Sequence, residues 1–146
     1  MAFRIEIRKV QHPKEECAEF FTLLSSGAVS VRAEHYDHPL DLALFANALR
    51  AFDGTASASC SHQAGSPEDA TWLWLTAYAY SNRGHSAIEV FAGCNGDRQI
   101  ASSVRFSALL EVASINRLGV ELSRWIGSGE EPFEFDAPDP DHDHER

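Results

Sequence analysis

Hydrophobic and polar residues alternate at the start of the chain. Phe3, Ile5 and Ile7 are separated by Arg4, Glu6 and Arg8, the period-two pattern of a strand with one buried face. Gln11-His12-Pro13 breaks the pattern. Cys17, Phe20, Phe21 and Leu24 also fit helical spacing, but the run is short, aromatic-rich and ends in the turn residues Ser25-Ser26-Gly27. Val29, Val31 and Ala33 then alternate with Ser30, Arg32 and Glu34, so a hairpin is predicted with arms at about 19–25 and 28–36. Pro39 suits the first position of a helix, capped by Asp37 or His38 and favoured by Asp41 near its positive end. Leu42, Phe45, Ala46, Leu49 and Phe52 form its apolar stripe, and Asp53-Gly54 ends it.

Residues 55–70, TASASCSHQAGSPEDA, are small and polar and read as a long loop. Such a loop is either a partner-facing element or a tolerated insertion. The next segment, TWLWLTAYAY at 71–80, alternates strictly, with Trp72, Trp74, Thr76, Tyr78 and Tyr80 on one face and Leu73, Leu75, Ala77 and Ala79 on the other. A turn at Ser81-Asn82-Arg83-Gly84 leads to a strand from His85 to Gly93 with Ile88, Val90 and Ala92 aligned. Asn95-Gly96 is a hairpin cue, and a third strand is predicted from Arg98 to Phe106. Ser107 would cap a last helix at about 108–126, with Val112, Ile115, Leu118, Leu122 and Trp125 in a stripe. Gly119 sits on that stripe, where a small residue permits close approach, and Gly127 and Gly129 stop the helix.

The predicted class is therefore α+β, in the order β-β-β-α-β-β-β-α: an antiparallel sheet of about six strands with two helices packed on one face. The two halves share one element order without sharing sequence.

Length and composition suit one soluble domain: 146 residues, 44% hydrophobic and 23% charged. Lys and Arg number 12 against 22 Asp and Glu, a net charge of −10. That balance argues against nucleic-acid binding and against docking on anionic membranes. The first ten residues carry no signal-peptide core, and no apolar run approaches a membrane span. Residues 130–146, EEPFEFDAPDPDHDHER, hold 8 acids and one Arg. They read as an acidic, Pro-rich tail to a domain at 1–129, disordered from about 136, with Phe133 and Phe135 able to dock as a short extended piece. Cys17, Cys60 and Cys94 are odd in number and widely spaced, which suits free thiols in a reducing, cytoplasmic setting.

Candidate chemistry is sparse. His35, His38, Cys60 and His62 are residue types that could ligate a metal such as zinc, but they repeat no ligand spacing, and structural roles are expected. His142 and His144, interleaved with Asp139, Asp141 and Asp143, could hold metal only loosely. Ser81 and His85 fall near one turn, and Glu89 lies alone in mid-strand. The chain has no G-x-S-x-G, phosphate-loop or dinucleotide motif. No catalytic residue, metal or cofactor is expected. The aromatic strand is either core or an adhesive strip; if its Leu/Ala face lies under the helices, the Trp/Tyr face points outward or under the tail. The partner-binding candidates are Trp72, Trp74, Tyr78 and Tyr80, with His62, Glu68 and Asp69 from the loop.

The run W-L-W-L-T-A-Y-A-Y, the turn ending Arg83-Gly84-His85, the strand S-A-I-E-V-F-A-G and a helix ending near Trp125-Ile126 resemble the small bacterial proteins grouped with the wall-associated-protein immunity protein WapI. The likeness covers about residues 3–127 and places Leu42–Phe52 where that pattern has its helix. Asn82-Arg83 departs from the more acidic turn of that pattern. The resemblance implies a cytoplasmic, non-enzymatic antidote that binds and blocks a cognate toxin domain. An acidic surface would steer it toward a basic toxin. Two alternatives stand beside it: a small metal-binding domain or enzyme using His35, His38, Cys60 or His62, and a homo-oligomeric scaffold, such as a homodimer, that self-associates through the aromatic strip.

Overall fold

The computed structural model describes residues 3–11, 16–55, 57–81, 85–95, 102–128 and 131–140. The chain runs β1 (Phe3–Val10), β2 (Ala18–Ser26), β3 (Val29–Asp37), α1 (Pro39–Ala51), β4 (Ser59–Ala64), β5 (Thr71–Ala79), β6 (Ser86–Cys94), β7 (Ser102–Leu110), α2 (Val112–Ser128) and β8 (Phe133–Ala137). The class is α+β. In place of one sheet of about six strands there are two antiparallel sheets of four, ordered β3-β2-β1-β8 and β4-β5-β6-β7. We call them sheet A and sheet B.

Two strands account for the difference. β4 arises inside the segment that reads as loop, because Cys60, His62 and Ala64 turn inward while Ser59, Ser61 and Gln63 face out. β8 lies beyond the expected domain limit at 129. Phe133, Phe135 and Ala137 pack inward, and the strand pairs with β1 from Phe3↔Ala137 to Ile7↔Phe133. Arg4 binds Asp136 at 2.7 Å, and the Arg117 guanidinium lies 4.3 Å from the Phe135 ring centre. Residues 141–146, with His142 and His144, lie outside the described residues.

The hairpin of β2 and β3 forms as expected. His38 supplies the α1 cap, its Nδ1 accepting from the Leu40 N–H at 3.1 Å. The third strand of the second half runs later than expected, to Leu110, and α2 starts at Val112. Ala108 and Leu110 face the core from β7, and burying both is incompatible with starting the helix at 108. Residues 98–101 of the expected strand and the turns at 82–84 and 96–97 lie outside the described residues.

The topology repeats. Each half is β-β-β-α-β, and the strand after each helix joins the other half's sheet: β4 pairs with β5, and β8 with β1. The inward faces of both sheets and the stripes of both helices share one apolar core. Gly119 lets the helices touch: a Cβ there would stand 2.6 Å from the Ala46 carbonyl oxygen and from the Arg50 nitrogen. Asn116 of α2 donates its side-chain amide to the Leu49, Arg50 and Phe52 carbonyls at 3.0, 3.2 and 2.8 Å; Leu49 also accepts from the Phe52 N–H, so Asn116 adds to that cap and serves two carbonyls the end of α1 leaves open. Among the described residues no helix is long and apolar enough to cross a membrane.

Candidate functional site

The C-terminal end of β3, His35-Tyr36-Asp37, places His35 and Asp37 on the same inward face because strand side chains alternate. Thr22 of β2 and His62 of β4 point at the same spot. The Asp37 carboxylate can only accept, so His35 Nδ1–H donates to Oδ2 at 3.0 Å and His62 Nε2–H donates to Oδ1 at 2.9 Å. His35 Nε2 and the Thr22 hydroxyl share a 2.8 Å hydrogen bond, in which the hydroxyl donates to a neutral ring and accepts from a protonated one. Phe20 stacks on His35 with ring centres 5.4 Å apart, and Phe45 stacks on His62 at 5.3 Å. Burial alone would push the Asp37 carboxyl up. The hydrogen bonds and charges of His35 and His62 outweigh it and hold the group below its ordinary 3.8.

Hydroxyl, imidazole and carboxylate in series is the order of a nucleophile, its base and the group that orients the base. Here the series is sealed. Thr22, His35, Asp37 and His62 are 3%, 4%, 5% and 6% exposed. The adjoining cavity, walled by Ile5, Phe45, Leu73 and Leu122 among others, is about 20 Å³, room for about one water. The cluster therefore acts as a clasp that ties sheet A to sheet B through Asp37. Of the four residues named by the metal-binding alternative, His35 and His62 meet at Asp37. His38 is committed to the helix cap, and Cys60 sits half-buried on β4. Among the described residues no three His, Cys, Asp or Glu side chains are arranged to hold a metal ion.

The aromatic strand places its Leu73 and Ala77 face in the core. The Trp/Tyr face is the outer face of sheet B, but it is not uniformly open. Trp72 is 3% exposed, lying over Gly93 and against Phe91, with ring centres 5.6 Å apart. Trp74 is half-buried, packs edge-on against Phe91, and donates its Nε1–H to the Gly65 carbonyl at 2.8 Å. Tyr78 shares a 2.9 Å hydrogen bond with Ser107. Tyr80 is 49% exposed and stacks on His85, which also lies 2.9 Å from the Ser81 hydroxyl. The Arg105 guanidinium covers Phe91 at 4.1 Å and pairs with Glu89 at 3.1 Å.

The chain matches no protein-family model, no curated protein and no solved structure.

Of the partner-binding candidates, Trp74, Tyr78 and Tyr80 share the open face of sheet B. Glu68 and Asp69 are exposed in the turn before β5, where Asp69 accepts from the Ser66 N–H at 2.8 Å. His62 and Trp72 offer almost no surface to a partner. In sequence Asp37 presents itself only as a cap and Thr22 not at all. The available signal was His-x-Asp at a strand end, which puts both side chains on one face. Phe91 and Arg105 complete the outer aromatic tract; only the β5–β6–β7 register brings them beside Trp74.

Proposed function

We propose that the chain is a non-enzymatic binding protein of the immunity type, which neutralises a cognate bacterial toxin domain by holding it on the outer face of sheet B. The observation that carries this reading is the set of Trp74, Phe91, Tyr78 and Tyr80 on the outer face of sheet B, divided by the Thr76–Glu89 row and edged by Ser61, Gln63 and Arg105. Large aromatic rings lose little rotamer entropy on docking and are enriched among the residues that dominate binding energy. The net charge of −10 favours a basic partner and speeds its encounter. The hydroxyl–imidazole–carboxylate series supports the same reading, since a sealed series has no route to a substrate.

The test is co-expression with the C-terminal domain of a large secreted protein encoded immediately upstream. Survival of the cells and copurification of the two proteins are expected. In a binding titration Trp74→Ala should weaken the complex by about 2 kcal/mol, as for a central aromatic anchor. Unrelieved toxicity with no complex at micromolar concentrations would overturn the proposal.

A further inference from the structure

The outer face of sheet A carries a different pattern. Strand pairing sets its side chains in a grid. One row reads Arg8–Phe21–Glu34 across β1, β2 and β3, and the next reads Glu6–Leu23–Arg32. Half-buried Phe21 and Leu23 form the centre, and each corner alternates in sign with its neighbours along the strand and across the row. A shallow groove of about 460 Å³ runs over these residues, bounded by Pro132. Among the described residues Arg32 and Glu34 form no ion pair, and Arg8 rests only on the Phe21 ring at 4.9 Å. Glu6 is held by Arg4 at 3.4 Å.

This checkerboard is complementary to itself. In a two-fold dimer each residue meets the position that the symmetry axis dictates. Stacked face to face about an axis along β2, Arg8 lies over Glu34 of the second copy, Glu6 over Arg32 of the second copy, and Phe21 and Leu23 over their own counterparts. About an in-plane axis across the strands, Arg8 lies over Glu6 of the second copy, Arg32 over Glu34 of the second copy, and Phe21 over Leu23. Either way four opposite-charge contacts surround an apolar centre, and no like charges of this block meet. A partner with a uniformly basic or acidic face would meet two like charges at the four corners. We propose that the outer face of β1–β2–β3 is a self-association surface whose occupant is a second copy of this chain.

The expected strength follows from area. Three strands about 4.8 Å apart, each with about eight residues at about 3.3 Å, present roughly 380 Å² per copy. The total of roughly 760 Å² falls below the roughly 1,000 Å² of specific interfaces and belongs to weak, transient ones. Aligned sheets cross at about 30°, which displaces corners some 6 Å from the axis by about 3 Å, within reach of Arg and Glu side chains. The dimer should therefore be reversible, salt-sensitive and in the micromolar range.

The test uses sedimentation velocity on the full chain and two charge variants with unchanged circular dichroism. Arg8→Glu with Arg32→Glu makes all four corners acidic; Glu6→Arg with Glu34→Arg makes all four basic. The wild type should dimerise up to concentrations on the order of 0.5 mM, and each variant alone should bind itself at least about tenfold more weakly. An equimolar mixture of the two variants should restore a dimer, because every corner then meets its opposite. A wild type that stays monomeric overturns the proposal. So does a dimer indifferent to both variants, or variants whose mixture stays monomeric. If that indifferent dimer were lost on Trp74→Ala, the association would belong to sheet B.

Discussion

Asp37→Ala is the sharpest perturbation the fold offers. It deletes the acceptor of two buried N–H donors, His35 Nδ1–H at 3.0 Å and His62 Nε2–H at 2.9 Å. Hydrogen bonds to a charged group contribute about 1.5–3 kcal/mol each, and breaking a buried ionic network by removing one member costs about 3–5 kcal/mol. The expected loss is therefore about 3–5 kcal/mol, a large part of the roughly 5–15 kcal/mol that holds a domain of this size together. At roughly 3–5 °C per kcal/mol, the Tm should fall by roughly 10–20 °C. Equilibrium unfolding in urea reads the loss directly, with the slope checked for two-state behaviour. A double-mutant cycle with His62→Gln should return a coupling of about 1.5–3 kcal/mol.

The pH dependence follows from the same carboxylate. The folded-state value lies below 3.8, so the unfolded chain binds the proton more tightly. The stabilisation is fully present above pH 3.8 and is lost as pH falls through the lower folded value. The stability gap between wild type and Asp37→Asn should accordingly narrow as pH falls through that window. An Asp37→Ala cost under about 1 kcal/mol, or a gap unchanged down to about pH 2, would refute the clasp, since neither is compatible with a dry carboxylate holding two donors.

Other outcomes follow from single contacts. Gly119→Ala should cost at least about 1–3 kcal/mol in denaturant unfolding, because the new methyl meets the α1 backbone at Ala46 and Arg50, which cannot rotate away. Asn116→Ala leaves the Arg50 and Phe52 carbonyls without their donor, while Leu49 keeps the Phe52 N–H, and should cost about 1–2 kcal/mol, with faster amide exchange confined to the last turn of α1. A thiol reagent at mildly alkaline pH should label Cys17 and Cys94 quickly and Cys60 slowly. The first two are exposed, whereas burial pushes the Cys60 thiol up against a smaller opposing effect of the Ala77 backbone.

Local pattern alone determined a large part of this protein. Period-two alternation gave β1, β5 and the hairpin of β2 and β3. The stripes of α1 and α2 were legible because an isolated helix or strand must show its buried face in its own periodicity. Which face of β5 is core stayed open in the sequence, and Gly119 marked a place of close approach without naming the α1 backbone it meets at Ala46. Four features took their final form only in the tertiary fold. Ser59–Ala64 is polar enough to read as loop, and became a strand because β5 offered an edge whose backbone groups needed partners. Phe133–Ala137 entered sheet A because β1 had a free edge and the core had room for Phe133 and Phe135. The clasp joins residues 22, 35, 37 and 62, and the sheet A checkerboard joins β1 to β3; neither can be read without the register. Burial patterns are written into each segment because every segment must shield its own apolar face. Pairings between distant segments depend on which edges and donors the rest of the chain leaves unsatisfied, and that is known only once the chain has folded.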